Sequence, residues 1–464
     1  MNAPTTSGSS RLGALRARIG ESLFPGAPAR ETSLDRVEVA VLVGAALALG
    51  TILALLRLGL SVSLTTVWAE DGPIYLQAAL TQGFWDAVFS PYAGYLVVVP
   101  RLIAEVGALV PLRYAAAAVS IVSALCAALS GLVVWYASGG HLRSPYLRGA
   151  LALLTVLAPA AGQETLVSAA YVPWYMLFAS FWLLIWRPAT LWGAALGGTF
   201  LLFTGLSTPG LWFFAPLAAL RALAIRDRRD LTIVGAYGLA VAVQVPVVLG
   251  QEQGEPLWTA DIWTAFVQRV IDGGLFGQRL GGNLWAHFGW PFLIALMVLL
   301  AVGFVLGLRR SGPSARWFVA LALPTSLVMF VLSAYQRTVG SNLIWSAGES
   351  GGTASRYVLV PALLLVSAVV VTVDAWLRRR GDDPRRFSWA VAATVAVLGV
   401  GLVISFNMGD TAYRGAPYWE DALESAATKC IAEDEEVAGI ATSPAPFGLQ
   451  IPCADVASFA AAKG

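Results

Sequence analysis

The chain has 464 residues, of which 57% are apolar and only 12% charged, about half the charged share of a soluble protein. So little charge cannot coat several water-facing cores, so much of the surface must face lipid. A net charge of +2 from 30 basic and 28 acidic residues gives no footing for nucleic acid.

Residues 1–36 carry Arg11, Arg16, Arg18, Arg30 and Arg36 among Ser, Gly and Pro, with no apolar stretch ending in a small-residue cleavage site. They read as a disordered cytoplasmic tail and not a signal peptide. Residues 37–406 hold about eleven apolar stretches, judged against the ~20 residues that a spanning helix needs. They are 37–58, 114–137, 149–161, 172–185, 191–206, 211–225, 231–249, 290–308, 317–334, 357–376 and 388–406. Three of them, 149–161, 172–185 and 211–225, are short, either half-helices or spans that extend into their flanks. With the N-terminus inside, Arg143, Arg148, Arg187, Arg226, Arg228, Arg229, Arg309, Arg310, Arg316 and the arginines of 378–386 fall in cytoplasmic loops. Glu70, Asp71, Glu164, Glu252, Glu255, Asp261, Asp272 and Glu349 fall in the alternate loops. That asymmetry follows the positive-inside rule and places the tail beyond Asn407 outside.

In the first external loop, Leu76, Leu80, Phe84 and Val88 recur every four residues, which predicts a surface helix over 73–89. Residues 95–111 are apolar but hold Arg101 and Glu105, four apart and able to pair on one helix face. They are expected to tuck against the bundle at the outer boundary, a spanning helix being the alternative. The loops 250–289 and 335–356 are external and rich in Gly and Trp. Residues 407–464 turn soluble, with a helix predicted over 419–429 and a strand over 437–442. Outside the cytoplasm Cys430 and Cys453 would be oxidised to a disulfide, two free thiols being the alternative.

The sharpest chemical feature is Trp68-Ala69-Glu70-Asp71-Gly72, where two adjacent carboxylates leave the membrane. Either can be a general base whose pKa rises by partial burial. Equally, Asp71-Gly72-Pro73 is a helix start with Asp71 near the N-cap, and one residue can do both. Tyr92 and Tyr95 are membrane-belt residues or ring faces for a sugar, a set that Trp68 joins. Arg101 reads as an ion pair with Glu105 or as a cation for a lipid-linked phosphate. Arg356 and Arg337 can grip a phosphate bidentately or snorkel at a helix end. Glu164, Trp174 and Tyr175, from another outer loop, can border the same cavity. His287, between Trp285 and Trp290, reads as an interfacial residue. Three cysteines and two histidines at long spacing make no zinc site. No metal site and no cofactor is called for, although a divalent cation stays compatible.

The acidic pair Glu70-Asp71 in the first external loop, the long loop with surface helices after it, the many spans and a small external C-terminal piece resemble the GT-C superfamily of integral-membrane glycosyltransferases, and the stretches 68–72, 92–101, 172–188 and 355–361 are similar to members within it. The likeness extends to its actinobacterial envelope members, including arabinofuranosyltransferase-like ones. That resemblance implies an all-α polytopic fold with a small external α/β C-terminal piece, in a bacterial plasma membrane. It also implies inverting transfer from a polyprenyl-phosphate sugar, Asp71 or Glu70 as base, an arginine on the donor phosphate, and a glycan, lipid or protein acceptor. The chain departs from the pattern in having no large external carbohydrate-binding domain. A transporter or flippase for a lipid-linked glycan, or a non-catalytic envelope assembly protein, are the competing classes. Charges gathered at the outer face, away from the midplane, favour the enzyme, and Arg57 and Arg221 lie near span ends where they can snorkel.

Overall fold

The computed structural model describes residues 35–250, 261–309, 311–336, 355–379, 388–406, 415–445 and 447–461, with 13, 16–17 and 19–26 near the N-terminus. Helix α1 (Arg36–Leu58) leads through α2 (Leu60–Thr65) into a long connection, which holds α3 (Gln77–Thr81), α4 (Phe84–Phe89) and α5 (Val98–Ala108). Then come α6 (Ala115–Ala137), α7 (Pro145–Leu157), α8 (Val172–Ile185), α9 (Leu191–Gly205), α10 (Ala215–Leu223) and α11 (Arg228–Leu249). After α12 (Asp261–Ala265) follow α13 (Gly273–Arg309), α14 (Pro313–Gln336), α15 (Arg356–Arg379) and α16 (Trp389–Phe406). The C-terminal piece comprises α17 (Trp419–Glu433), the antiparallel strands β1 (Val437–Ala441) and β2 (Gly448–Pro452), and α18 (Cys453–Ala461).

Every predicted apolar stretch is helical, making this a multi-pass membrane protein. Among the described residues seven helices, α1, α6, α11 and α13 to α16, are long and apolar enough to cross a membrane. The remaining four, α7 to α10, are shorter, so α9 joins the three expected short ones. Local chemistry sets several starts. Asp35 and Glu38 form a reciprocal capping box at α1. Ser144 caps α7 with Pro145 in its first turn. Helices α8 and α15 are buried along nearly their whole length and form the centre, while α1 and α13 present mostly exposed apolar faces, as lipid-facing helices do.

Four expectations change. The surface helix over 73–89 is broken: a π-helical turn over Gly72–Leu76 runs into α3, and the chain extends at Gln82 and Gly83 before α4. Glycine disfavours helix continuation there. The external loop 250–289 is helical from Asp261 onward, with α13 kinked at Gly277 and Gly289, both at positive φ. Arg57 and Arg221 do not snorkel. Both are buried and donate to carbonyls at helix ends: Arg57 to Leu157, Ala158 and Ala161, Arg221 to Leu183, Leu184 and Trp186. A buried guanidinium is tolerated only where such partners satisfy it. Finally, within the N-terminal stretch expected to be disordered, Leu23 and Phe24 are buried, and the Arg226 guanidinium donates to the Gly20 carbonyl at 3.3 Å.

Cys430 and Cys453 form a disulfide with Cα atoms 5.8 Å apart. It ties the end of α17 to the start of α18. The core of this piece is not its own: Trp419, Leu423, Ile440, Leu449, Ile451 and Val456 pack with Val67 and Leu76 of the connection between α2 and α3.

Candidate active site

After α2 the chain runs extended through Trp68 and turns sharply at Ala69, whose φ of +46° is unusual for a residue with a Cβ. The single helical turn that follows, Ala69–Asp71, aims the two adjacent carboxylates differently. Asp71 is 2% exposed, and its two oxygens accept from the backbone N–H groups of Ala169 and Ala170, each at 2.9 Å. Burial pushes its pKa up to about 7, against the pull of those two amides. Asp71 therefore does not cap its own helix; it pins the turn Ala169–Tyr171 that opens α8.

Glu70 is half-buried and accepts the Tyr171 hydroxyl at 3.3 Å. That hydroxyl in turn accepts from the Arg356 guanidinium at 3.3 Å. Arg356 also donates to Glu164 from its side chain at 3.1 Å and from its backbone N–H at 3.0 Å, while the Ser355 hydroxyl donates to the same carboxylate at 3.2 Å. A continuous chain thus links Glu70, Tyr171, Arg356 and Glu164 across three segments distant in sequence. The Arg356 side chain remains 30% exposed. Buried Arg269, on the π-helical turn Phe266–Asp272, lies near enough to Glu164 to stabilise its charge. Arg57 holds Ala158 and Ala161 and so steadies the approach to Glu164.

Of the predicted site residues, Glu70, Asp71, Glu164 and Arg356 come together. Arg101 does not pair with Glu105. It is 4% exposed, donates to the Ile74 carbonyl at 3.4 Å and lies over the Tyr75 ring at 5.6 Å. Tyr75 is itself in electrostatic reach of Glu70, Asp71, Tyr92 and Tyr95. Tyr92 and Tyr95 bond each other through their backbones and stay half-buried, with Tyr92 edge-on to Tyr75. Trp68 is buried in the main core, so it offers no open ring face. Tyr175 is likewise buried, donating to the Thr165 carbonyl at 3.0 Å, and Trp174 stands edge-on to Tyr357. Arg337 lies outside the described residues. His287 is exposed beside the Asn283 carbonyl. Among the described residues no three His, Cys, Asp or Glu side chains converge as a metal site would.

Sequence reading missed Tyr171 and Arg269. Tyr171 immediately precedes the predicted stretch 172–185, three residues before Trp174, and its position at a span entrance was the available signal. Arg269 was hidden in a segment read as loop.

Next to this site an apolar groove of about 790 Å³ runs between α5, α6, α8 and α9, lined by Val99, Ile103, Cys126, Leu129, Met176 and Phe200. Val99, Ile103 and Met176 of its lining share a packed cluster with Val172 and with Ala169, whose N–H donates to Asp71.

No protein-family model matches the chain, and no curated protein matches it. Among solved structures it is similar to the Archaeoglobus fulgidus oligosaccharyltransferase, crystallised with a tethered acceptor peptide, at a TM-score of 0.38 and 13% identity over 83% of this chain and 57% of that one. The chain thus spans little more than half the length of that protein.

Proposed function

We propose that this protein is a membrane glycosyltransferase of the GT-C kind. It moves a sugar, arabinofuranose being one candidate, from a polyprenyl-phosphate donor to a cell-envelope acceptor at the outer face of a bacterial plasma membrane. The observation that carries this reading is the chain Glu70–Tyr171–Arg356–Glu164, which sets a carboxylate and a partly exposed arginine on one hydroxyl. Inverting transfer needs a base for the acceptor and a cation for the leaving phosphate, held a sugar's width apart. Glu70 is the base: it takes the proton from the acceptor hydroxyl as that oxygen bonds to the anomeric carbon. The bond from the anomeric carbon to the phosphate oxygen breaks on the opposite face. Polyprenyl phosphate leaves with the electron pair, its charge met by Arg356.

Asp71 is poorly placed for that role, since backbone amides occupy both its oxygens. It positions Tyr171 instead. Glu164 orients Arg356, much as a carboxylate orients a metal-bound histidine from behind. The half-buried rings of Tyr92 and Tyr95 suit a sugar face, and the apolar groove suits the donor's hydrocarbon. The disulfide favours an extracytoplasmic C-terminus, in agreement with the arginine distribution.

The test is sugar transfer by the purified chain in lipid nanodiscs supplied with a panel of polyprenyl-phosphate sugars. Glu70→Gln is expected to lower kcat by ~10²-fold or more while donor KM holds. Full transfer by Glu70→Gln, with loss in Asp71→Asn alone, would return the base role to Asp71. Absence of transfer from every donor, together with movement of a lipid-linked glycan across the bilayer, would select the flippase class.

A further inference from the structure

The C-terminal piece touches the candidate site at one place. The Ala69 N–H donates to the Ser443 carbonyl at 2.5 Å, and the Ser443 N–H donates to the Val67 carbonyl at 3.2 Å. These two bonds form a short parallel bridge between Trp68 and Ser443. They bracket Trp68, and one of them is made by the N–H of Ala69, the residue whose positive φ makes the turn into Glu70. On the next residues, Thr442 packs so closely on Gly72 that a Cβ there would meet its methyl carbon at 3.0 Å and Val67 at 3.2 Å. Two further bonds anchor the piece. The Gln450 N–H donates to the Gln77 side chain at 2.7 Å, and the Trp419 indole donates to the Leu112 carbonyl at 2.8 Å. The shared core with Val67 and Leu76 completes the contact.

We propose that residues 415–461 are a positioning element of the site, with Thr442 and Ser443 holding Trp68–Gly72 so that Glu70 meets Tyr171, and that the Cys430–Cys453 disulfide keeps this brace folded. A strained turn persists only where its surroundings over-determine it. Here the surroundings of Ala69 are the backbone of another segment some 370 residues away in the chain. That segment is small, and it lacks an apolar core large enough to stand without a covalent tie. Loosening it frees the N–H of Ala69 and lets the carboxylate drift, and misplacement by about 1 Å can lower a rate by about 10²-fold. The catalytic consequence rests on the reading of Glu70 given above, whereas the mechanical coupling does not.

The experiment combines amide hydrogen exchange with transfer kinetics on the full chain in nanodiscs. In the double variant Cys430→Ser/Cys453→Ser, exchange at Ala69 is expected to speed up while amides of α8 and α15 stay protected. Its kcat falls about tenfold or more with donor KM held. A second pair covers failure of that variant to fold. Gly72→Ala alone lowers kcat by crowding Thr442, and adding Thr442→Ala restores most of it. Unchanged Ala69 exchange and unchanged kcat in the cysteine variant, or no rescue of Gly72→Ala by Thr442→Ala, overturns the brace. Lack of transfer by the wild-type chain sinks the transferase reading instead, and the exchange data still judge the brace.

Discussion

Replacing Asp71 by Asn removes a charge whose energetics are dominated by burial. The folded-state pKa of Asp71 is about 7 against an ordinary 3.8, a rise of about three units at about 1.36 kcal/mol each, or roughly 4 kcal/mol. The folded protein binds this proton more tightly than the unfolded chain does. Its stabilising contribution is therefore complete below about pH 4 and is lost as pH rises to about 7. Asparagine has nothing to titrate there. It also offers one acceptor where two N–H groups, from Ala169 and Ala170, now find two. The unmet donor and the opposing NH₂ cost about 1–3 kcal/mol at every pH. Two curves with different slopes follow. Asp71→Asn is less stable than wild type near pH 4, and the gap closes or reverses toward pH 8. Unfolding midpoints from intrinsic fluorescence, with 17 tryptophans as reporters, measure this directly in detergent. Parallel pH profiles for the two proteins across that interval would refute the reasoning, because they would mean that Asp71 contributes no titration.

Three other outcomes test the frame. Tyr171→Phe keeps the ring but deletes the hydroxyl between Glu70 and Arg356. It should lower kcat roughly tenfold at a stability cost of about 1 kcal/mol, read from transfer rates and melting midpoints. Arg57→Met strips the donors from the Leu157, Ala158 and Ala161 carbonyls. A loss of about 2–4 kcal/mol is expected in thermal or denaturant unfolding. Gly131→Ala places a methyl 2.8 Å from the Ala152 carbonyl oxygen where α6 crosses α7. The backbone cannot yield cheaply, so about 1–3 kcal/mol of destabilisation is expected by the same measurement.

Much of the candidate site was legible because carboxylates and arginines beside long apolar runs are costly and therefore conspicuous. Glu70, Asp71, Glu164 and Arg356 stood out on that ground, and all four converge. Tyr171 did not, since a tyrosine at a span entrance is common and nothing local shows what its hydroxyl meets. The choice between Glu70 and Asp71 was also closed to a linear reading. Both are acids on one turn, and only the approach of the Ala169 and Ala170 amides separates them. Arg101 and Glu105 misled in the other direction. Spacing of four permits a pair, but Tyr75 and the Ile74 carbonyl claim the guanidinium.

Hydrophobic runs and their punctuation determined by themselves that this is a helical, lipid-embedded chain, and they located the apolar helices but not the helical stretch 261–289. Each helix satisfies its own backbone locally, so its existence is written in contiguous residues. Tertiary structure alone decided which of the two acids the Ala169 and Ala170 amides engage, what joins the other to Arg356, and that residues 415–461 pack against the loop after α2. Those facts depend on contacts between segments a hundred to several hundred residues apart, and such contacts leave no periodic trace in the order of amino acids.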